Sequence, residues 1–228
     1  MKTAVVFLAD GFEEVEALTP VDYLRRAEVE VITVAVPSPT MNDEYIAISS
    51  HKVPVVADMN FKEFKEEFSG ELPDLVFCPG GMPGSSNLGN NQVVLDFIKR
   101  CFDAGKYVSA ICAAPAVVLA KTGILKNKNW TCYPGMETSV EEYCGSAELA
   151  EEVMRGSTHK RDVPFITDGN VITSRGAGTA EQFAMELVTL LAGQEKAAKL
   201  KAACCQRWCF CSLNFKFLPT IKKIATGR

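Results

Sequence analysis

No apolar run in the chain approaches the roughly 20 residues that a bilayer-crossing helix needs, so no transmembrane segment is expected. Charge of one sign is not in excess either. Lys and Arg number 24 against 28 Asp and Glu, a net charge of −4, which supplies no basic footprint for nucleic acid. An export signal is also missing. The N-terminal apolar stretch, residues 4–9, is short and runs straight into acidic residues, so it reads as a buried first strand rather than a signal peptide. Nine cysteines is an odd number. Without export, reduced thiols in a cytoplasmic protein are expected in place of a disulfide framework. Histidine is scarce: His51 reads as a solvated turn residue and His159 as a surface residue.

What is present is the alternation of an α/β protein. Residues 3–8, 29–36, 74–78 and 107–111 are continuous apolar runs, the pattern of strands covered on both faces. Between the first two, residues 13–27 repeat Val15, Leu18, Val21 and Leu24 at helical spacing, with a kink or break expected at Pro20. Residues 45–48 and 53–56 read as two short strands, and 61–68 as a surface helix with its phenylalanines inward. Helices are also expected at 93–104, 116–121, 180–192 and 195–203, with short irregular pieces over 137–143 and 148–153. Asp168-Gly169-Asn170 marks a hairpin between 163–166 and 171–173. Gly176 and Gly178 lead into the long helix; a dinucleotide loop would need a third glycine and an acidic partner, so helix-entry packing is the better reading.

Chemistry gathers at three strand ends. Glu13–Glu16 follow the first strand, Gly80-Gly81 follow residues 74–78, and Cys112 follows residues 107–111. In an open parallel sheet these are carboxyl-end loops, where ligands bind. Cys112 sits at a strand-to-helix turn, V-S-A-I-C-A-A-P. Free N–H groups and the positive end of a helix dipole there would lower its pKa. The competing reading is a small buried hydrophobe. The tail, from residue 204, crowds four cysteines into 204–211 among aromatics and lysines. Its spacing supports zinc only weakly; lipidation, local packing and a non-native extension all stay open. The domain division is therefore 1–194 for the α/β domain and 195–228 for a helical extension and Cys-rich tail.

The stretches D-G-F-E-E-V-E-A-L-T-P-V-D-Y-L-R-R-A, P-G-G-M-P-G, S-A-I-C-A-A-P and S-R-G-A-G-T-A-E-Q-F-A resemble the ThiJ/PfpI superfamily, and within it the parkinsonism-associated deglycase branch. The resemblance implies a flavodoxin-like three-layer sandwich with a mostly parallel central sheet, and a homodimer. It makes Cys112 the reactive cysteine and Glu16 the buried acid hydrogen-bonded to it. Backbone N–H groups of Gly81 and Ala113 would form an oxyanion pocket, which Gly80 lets the loop approach. Arg26 resembles a family arginine near the dimer interface and reactive centre. One departure stands out: where many members carry histidine before a proline, this chain has Tyr133, a poor base near neutral pH. Tyr133 and Arg26 are accessory candidates. The implied activity is glutathione-independent conversion of methylglyoxal, glyoxal or their early glycation adducts, with no metal or other cofactor. Ala113, in place of a histidine directly after the cysteine, disfavours proteolysis. The alternative is a redox sensor or stress-responsive chaperone acting through oxidation of Cys112.

Overall fold

A computed structural model describes residues 1–206. Residues 207–228, with Cys209 and Cys211, lie outside the described residues, and with them most of the segment that carries the zinc and lipidation readings. In chain order the elements are β1 (Thr3–Leu8), α1 (Glu14–Arg26), β2 (Glu30–Ala35), β3 (Ile46–Ile48), β4 (Pro54–Val56), β5 (Met59–Asn60), α2 (Phe61–Glu67), β6 (Leu75–Cys78), α3 (Gly84–Gly89), α4 (Gln92–Asp103) and β7 (Tyr107–Ile111). A π-helical turn, Pro115–Leu119, then leads into α5 (Ala120–Thr122). The remainder is β8 (Asn129–Trp130), α6 (Val140–Cys144), α7 (Ala147–Met154), β9 (Thr158–His159), β10 (Phe165–Asp168), β11 (Val171–Ser174), α8 (Ala180–Ala192) and α9 (Gln194–Ala203).

Seven strands form one sheet in the order β10-β11-β7-β6-β1-β2-β5. All neighbours pair in parallel except the β10–β11 hairpin. The side-chain period of two splits β1 between two cores. Val5 and Phe7 enter the cluster with Phe64 and Phe97, while Ala4, Val6 and Leu8 enter the opposite cluster with Leu24 and Phe183. The result is a flavodoxin-like three-layer sandwich. From β1 the chain crosses to β2 on one side, and β6 lies on the other. This reversal opens a crevice at the carboxyl ends of the central strands.

Local chemistry fixes the helix ends. Glu13 caps α1 by accepting the Glu16 N–H at 2.6 Å, and Asn60 and Glu63 close a reciprocal box at the start of α2. Three sequence expectations change. First, α1 runs unbroken through Pro20, which is buried in the helix; packing against α8 offsets the missing hydrogen bond. Second, Val15 is exposed while Glu16, Ala17, Pro20, Val21 and Leu24 are buried, so the helix is rotated to carry a carboxylate inward. Third, the helix expected at 116–121 is a π turn followed by one short α turn. The extension begins as α9, whose Ala197 and Leu200 are buried against the domain.

Phe64 anchors the α2 side. Its ring meets Phe7 edge-on at 5.2 Å and Phe97 at 4.8 Å. Phe64→Ala is expected to cost about 3–5 kcal/mol, read as a lower urea midpoint with an unchanged slope.

Candidate active site

Three carboxyl-end loops bring the candidate residues together. Cys112 ends β7 with φ of +63°, an uncommon angle for a residue with a side chain. Two main-chain bonds hold it there: its N–H donates to Ser174 O at 3.0 Å, and its carbonyl accepts the Tyr133 N–H at 2.7 Å. Glu16, on the first turn of α1, is 1% exposed. Its carboxyl faces the Cys112 side chain and the backbone of Gly80 and Ala177. Gly80 supplies the clearest constraint. A Cβ placed on it would lie 2.3 Å from both Cys112 Cβ and Glu16 Oε2. Only glycine lets thiol and carboxyl meet at this spot. Gly81 is left-handed, φ +87°, and abuts the Glu13 N–H, which donates to Gly80 O at 2.9 Å.

Burial raises the Glu16 pKa to about 7, against the pull of its hydrogen-bonding neighbours. Burial first, then the Glu16 carboxylate, pushes the Cys112 thiol up to about 12, while the backbone N–H groups of Gly81 and Ala113 pull it down. This reverses the lowering expected from the sequence. That expectation counted the N–H groups and omitted desolvation and the facing carboxylate, both of which disfavour a second negative charge. Near neutral pH the pair holds a proton on sulfur and partly ionised Glu16 beside it.

A cavity of about 310 Å³ opens nearby, walled by Tyr133, Pro134, Arg175 and Gly176–Thr179. Gly176 separates it from the acid: a Cβ there would lie 3.5 Å from Tyr133 Cδ2 and 3.6 Å from Glu16 Oε1. Tyr133 is 53% exposed, so its phenol rims this opening. A second cavity, about 320 Å³, is lined by Asp10, Gly11, Met82 and Pro83 among others, and neither cavity has Cys112 or Glu16 in its wall. Arg26 does not join the site within one chain. It is ion-paired to Asp22 at 2.7 Å, ten residues and roughly 15 Å along α1 from Glu16.

Three residues depart from the sequence reading or were missed by it. His159 is half-buried rather than on the surface. Its ring packs on Trp130 at 4.9 Å, with Nε2 3.6 Å from Cys132 Sγ and Nδ1 3.8 Å from Glu137 Oε1. Nothing local in the sequence announces this contact across 27 residues. Arg175 lines the cavity, and its position directly after β11, at a carboxyl end, is the signal that could have found it. His51, expected to be merely solvated, pairs with Glu14 at 2.9 Å.

Comparison with known proteins identifies the family. The family model described as DJ-1/PfpI matches residues 2–190. The chain belongs to the DJ-1/PfpI family. Protein dj-1beta of Drosophila melanogaster is 34% identical over 199 residues, spanning 87% of this chain and 94% of that one. A Schizosaccharomyces pombe protein named glutathione-independent glyoxalase DJ-1 is 30% identical over 202 residues, 86% of this chain and 94% of its own. The crystal structure of Drosophila DJ-1beta superposes with a TM-score of 0.75 at 32% identity, covering 91% of this chain and 99% of that chain. Membership of this family covers the α/β domain. No helix among the described residues is long and apolar enough to cross a membrane.

Glu16 carries a pH signature. A carboxyl raised from 4.5 to about 7 in the fold binds more protons folded than unfolded between those values. Its contribution to stability is therefore fully present below about pH 4.5 and lost as pH rises through 7. Glu16→Gln removes the penalty of ionising in the dry site. The variant is expected to match wild type near pH 4.5 and to exceed it by ~3 kcal/mol at pH 8, measured by urea unfolding at both pH values.

Proposed function

We propose that the protein is a cysteine-dependent, glutathione-independent glyoxalase/deglycase acting on methylglyoxal, glyoxal or their early glycation adducts. The observation that supports this most directly is the contact of the Cys112 thiol with a buried carboxyl whose pKa lies near 7, where a general base is most effective. Membership of a family that includes a protein named a glyoxalase adds to it.

Cys112 Sγ attacks the aldehyde carbon of methylglyoxal, forming the C–S bond. Its proton passes to Glu16 and on to the former carbonyl oxygen, giving a hemithioacetal. The backbone N–H groups of Gly81 and Ala113 act on the Cys112 sulfur, and in this proposal they donate to the carbonyl oxygen that turns negative beside it. Glu16 then removes the proton on the sulfur-bearing carbon, and an enediol forms. Return of a proton to the neighbouring carbon gives a thioester. Water cleaves it to lactate and free thiol. The sequence neither gains nor loses electrons overall, and no step calls for glutathione. A glycated substrate enters at the same first adduct as an aminocarbinol. Tyr133 stands at the cavity rim where many relatives place histidine, so Glu16 is the base for each proton transfer. A missing second acid–base group lowers the rate by about 10²–10⁴-fold.

A second copy of the chain is the proposed partner, as the family resemblance implies. In that assembly the exposed Arg26 reaches a site it does not approach within one chain.

Purified full-length protein given methylglyoxal without glutathione is expected to form lactate, with kcat rising as Glu16 ionises around pH 7. Cys112→Ser should abolish lactate, and Glu16→Gln should lower kcat at least about 10²-fold. No lactate, with selective peroxide oxidation of Cys112, would instead establish the sensor reading.

A further inference from the structure

A second constellation lies outside the chemistry assigned to Cys112. Cys132, Glu137 and His159 present one donor atom each, and the three donors lie within 4.8 Å of one another. They come from separate segments: Cys132 follows β8, Glu137 lies on a 3₁₀ turn after it, and His159 is on β9. Parallel pairing of β8 with β9 puts Trp130 opposite His159. The indole then holds the imidazole between sulfur and carboxylate. The supporting contacts are of the kind that orient metal ligands. Gly135 N–H donates to Glu137 Oε2 at 2.7 Å, which turns Oε1 towards the imidazole.

We propose that Cys132, Glu137 and His159 form a binding site for a zinc-class divalent cation. Thiolate, imidazole and carboxylate are the donors such ions select, and three protein ligands leave a fourth position for water. Bonds of 2.0–2.3 Å in a tetrahedron put donors roughly 3.3–3.8 Å apart. The Sγ–Nε2 separation of 3.6 Å is already in that range. Because Nε2 faces Cys132 Sγ while Nδ1 faces Glu137 Oε1, closure combines an approach of about 1 Å with a rotation of the ring. It requires the imidazole to turn one nitrogen to the ion and Arg161, now 3.4 Å from Glu137 Oε1, to swing away; Arg161 is 73% exposed and free to do so. Binding replaces the Cys132 S–H proton with the metal and releases that proton to solvent. A thiolate and a carboxylate together cancel the charge of the dication. The site does not depend on the proposed reaction at Cys112. It meets that region through Tyr133, whose N–H is bonded to Cys112 O, and through the Arg175 guanidinium, whose charge acts on both Cys132 and His159, so an ion would pin the segment that rims the cavity.

Cobalt(II) serves as the probe, because a cysteine ligand gives it a sulfur-to-metal charge-transfer band. The full chain is reduced, stripped with chelator and titrated. The expected result is a band saturating at one equivalent, with one proton released per ion. It should persist in Cys112→Ser and in a chain whose Cys204, Cys205, Cys209 and Cys211 are all serine. It should vanish in Cys132→Ser and require at least about tenfold more cobalt in His159→Gln. Cys132 is buried, so its variant is checked by far-UV circular dichroism; if it does not fold, the half-buried His159 and Glu137→Gln carry the test. No band, or a band kept in His159→Gln and lost with the tail cysteines, overturns the proposal.

Discussion

A thiol and a carboxyl occupy a space where one methyl group would collide with both. Cys112 and Glu16 meet over Gly80, and most of the local architecture exists to permit that meeting. The Glu13 cap starts α1 where Glu16 falls on the first turn. Cys112 is held in a left-handed conformation by main-chain bonds to Ser174 and Tyr133. Gly81 turns the opposing loop away so that its N–H faces the sulfur. None of these features contributes much to stability. A buried carboxyl and a residue at positive φ both cost free energy, of order 1–3 kcal/mol for the strained backbone alone. The two apolar clusters flanking the sheet offset that cost.

Electrostatically the site is dominated by burial. Desolvation raises both groups, and their mutual repulsion when ionised keeps one proton between them. A carboxyl near pH 7 is a better proton acceptor for a thiol in the act of bonding than a fully ionised surface glutamate would be. That consideration bears on the histidine missing at Tyr133. In the proposed reaction, with no imidazole beside Cys112 among the described residues, proton movement is assigned to Glu16, and Tyr133 rims the cavity. The chain's half-buried histidine is instead engaged on the far side of the same segment, between Cys132 and Glu137.

Much of the fold was legible residue by residue. The four central strands announced themselves as uninterrupted apolar runs, because strands covered on both faces need no polar alternation. The hairpin at Asp168-Gly169-Asn170 and the helix Ala180–Ala192 carried their own turn and periodicity signals. Errors arose where packing outweighs local preference. Proline predicts a break in α1, but contacts with α8 hold the helix together. Periodicity placed Val15 inside, yet the helix turns Glu16 inward instead. The turn after Cys112 is wound with π geometry that no propensity encodes.

Local sequence by itself determined the alternation of strands and helices, the carboxyl-end placement of Glu16, Gly80 and Cys112, and the resemblance that named their roles. These depend on side-chain type and spacing, which act over a few residues. Tertiary structure alone decided which way the Cys112 pKa moves, that Arg26 stays with Asp22, that Arg175 lines the cavity, and that His159 lies against Cys132. Burial and through-space charge set those outcomes, and both are properties of atoms brought together from distant parts of the chain.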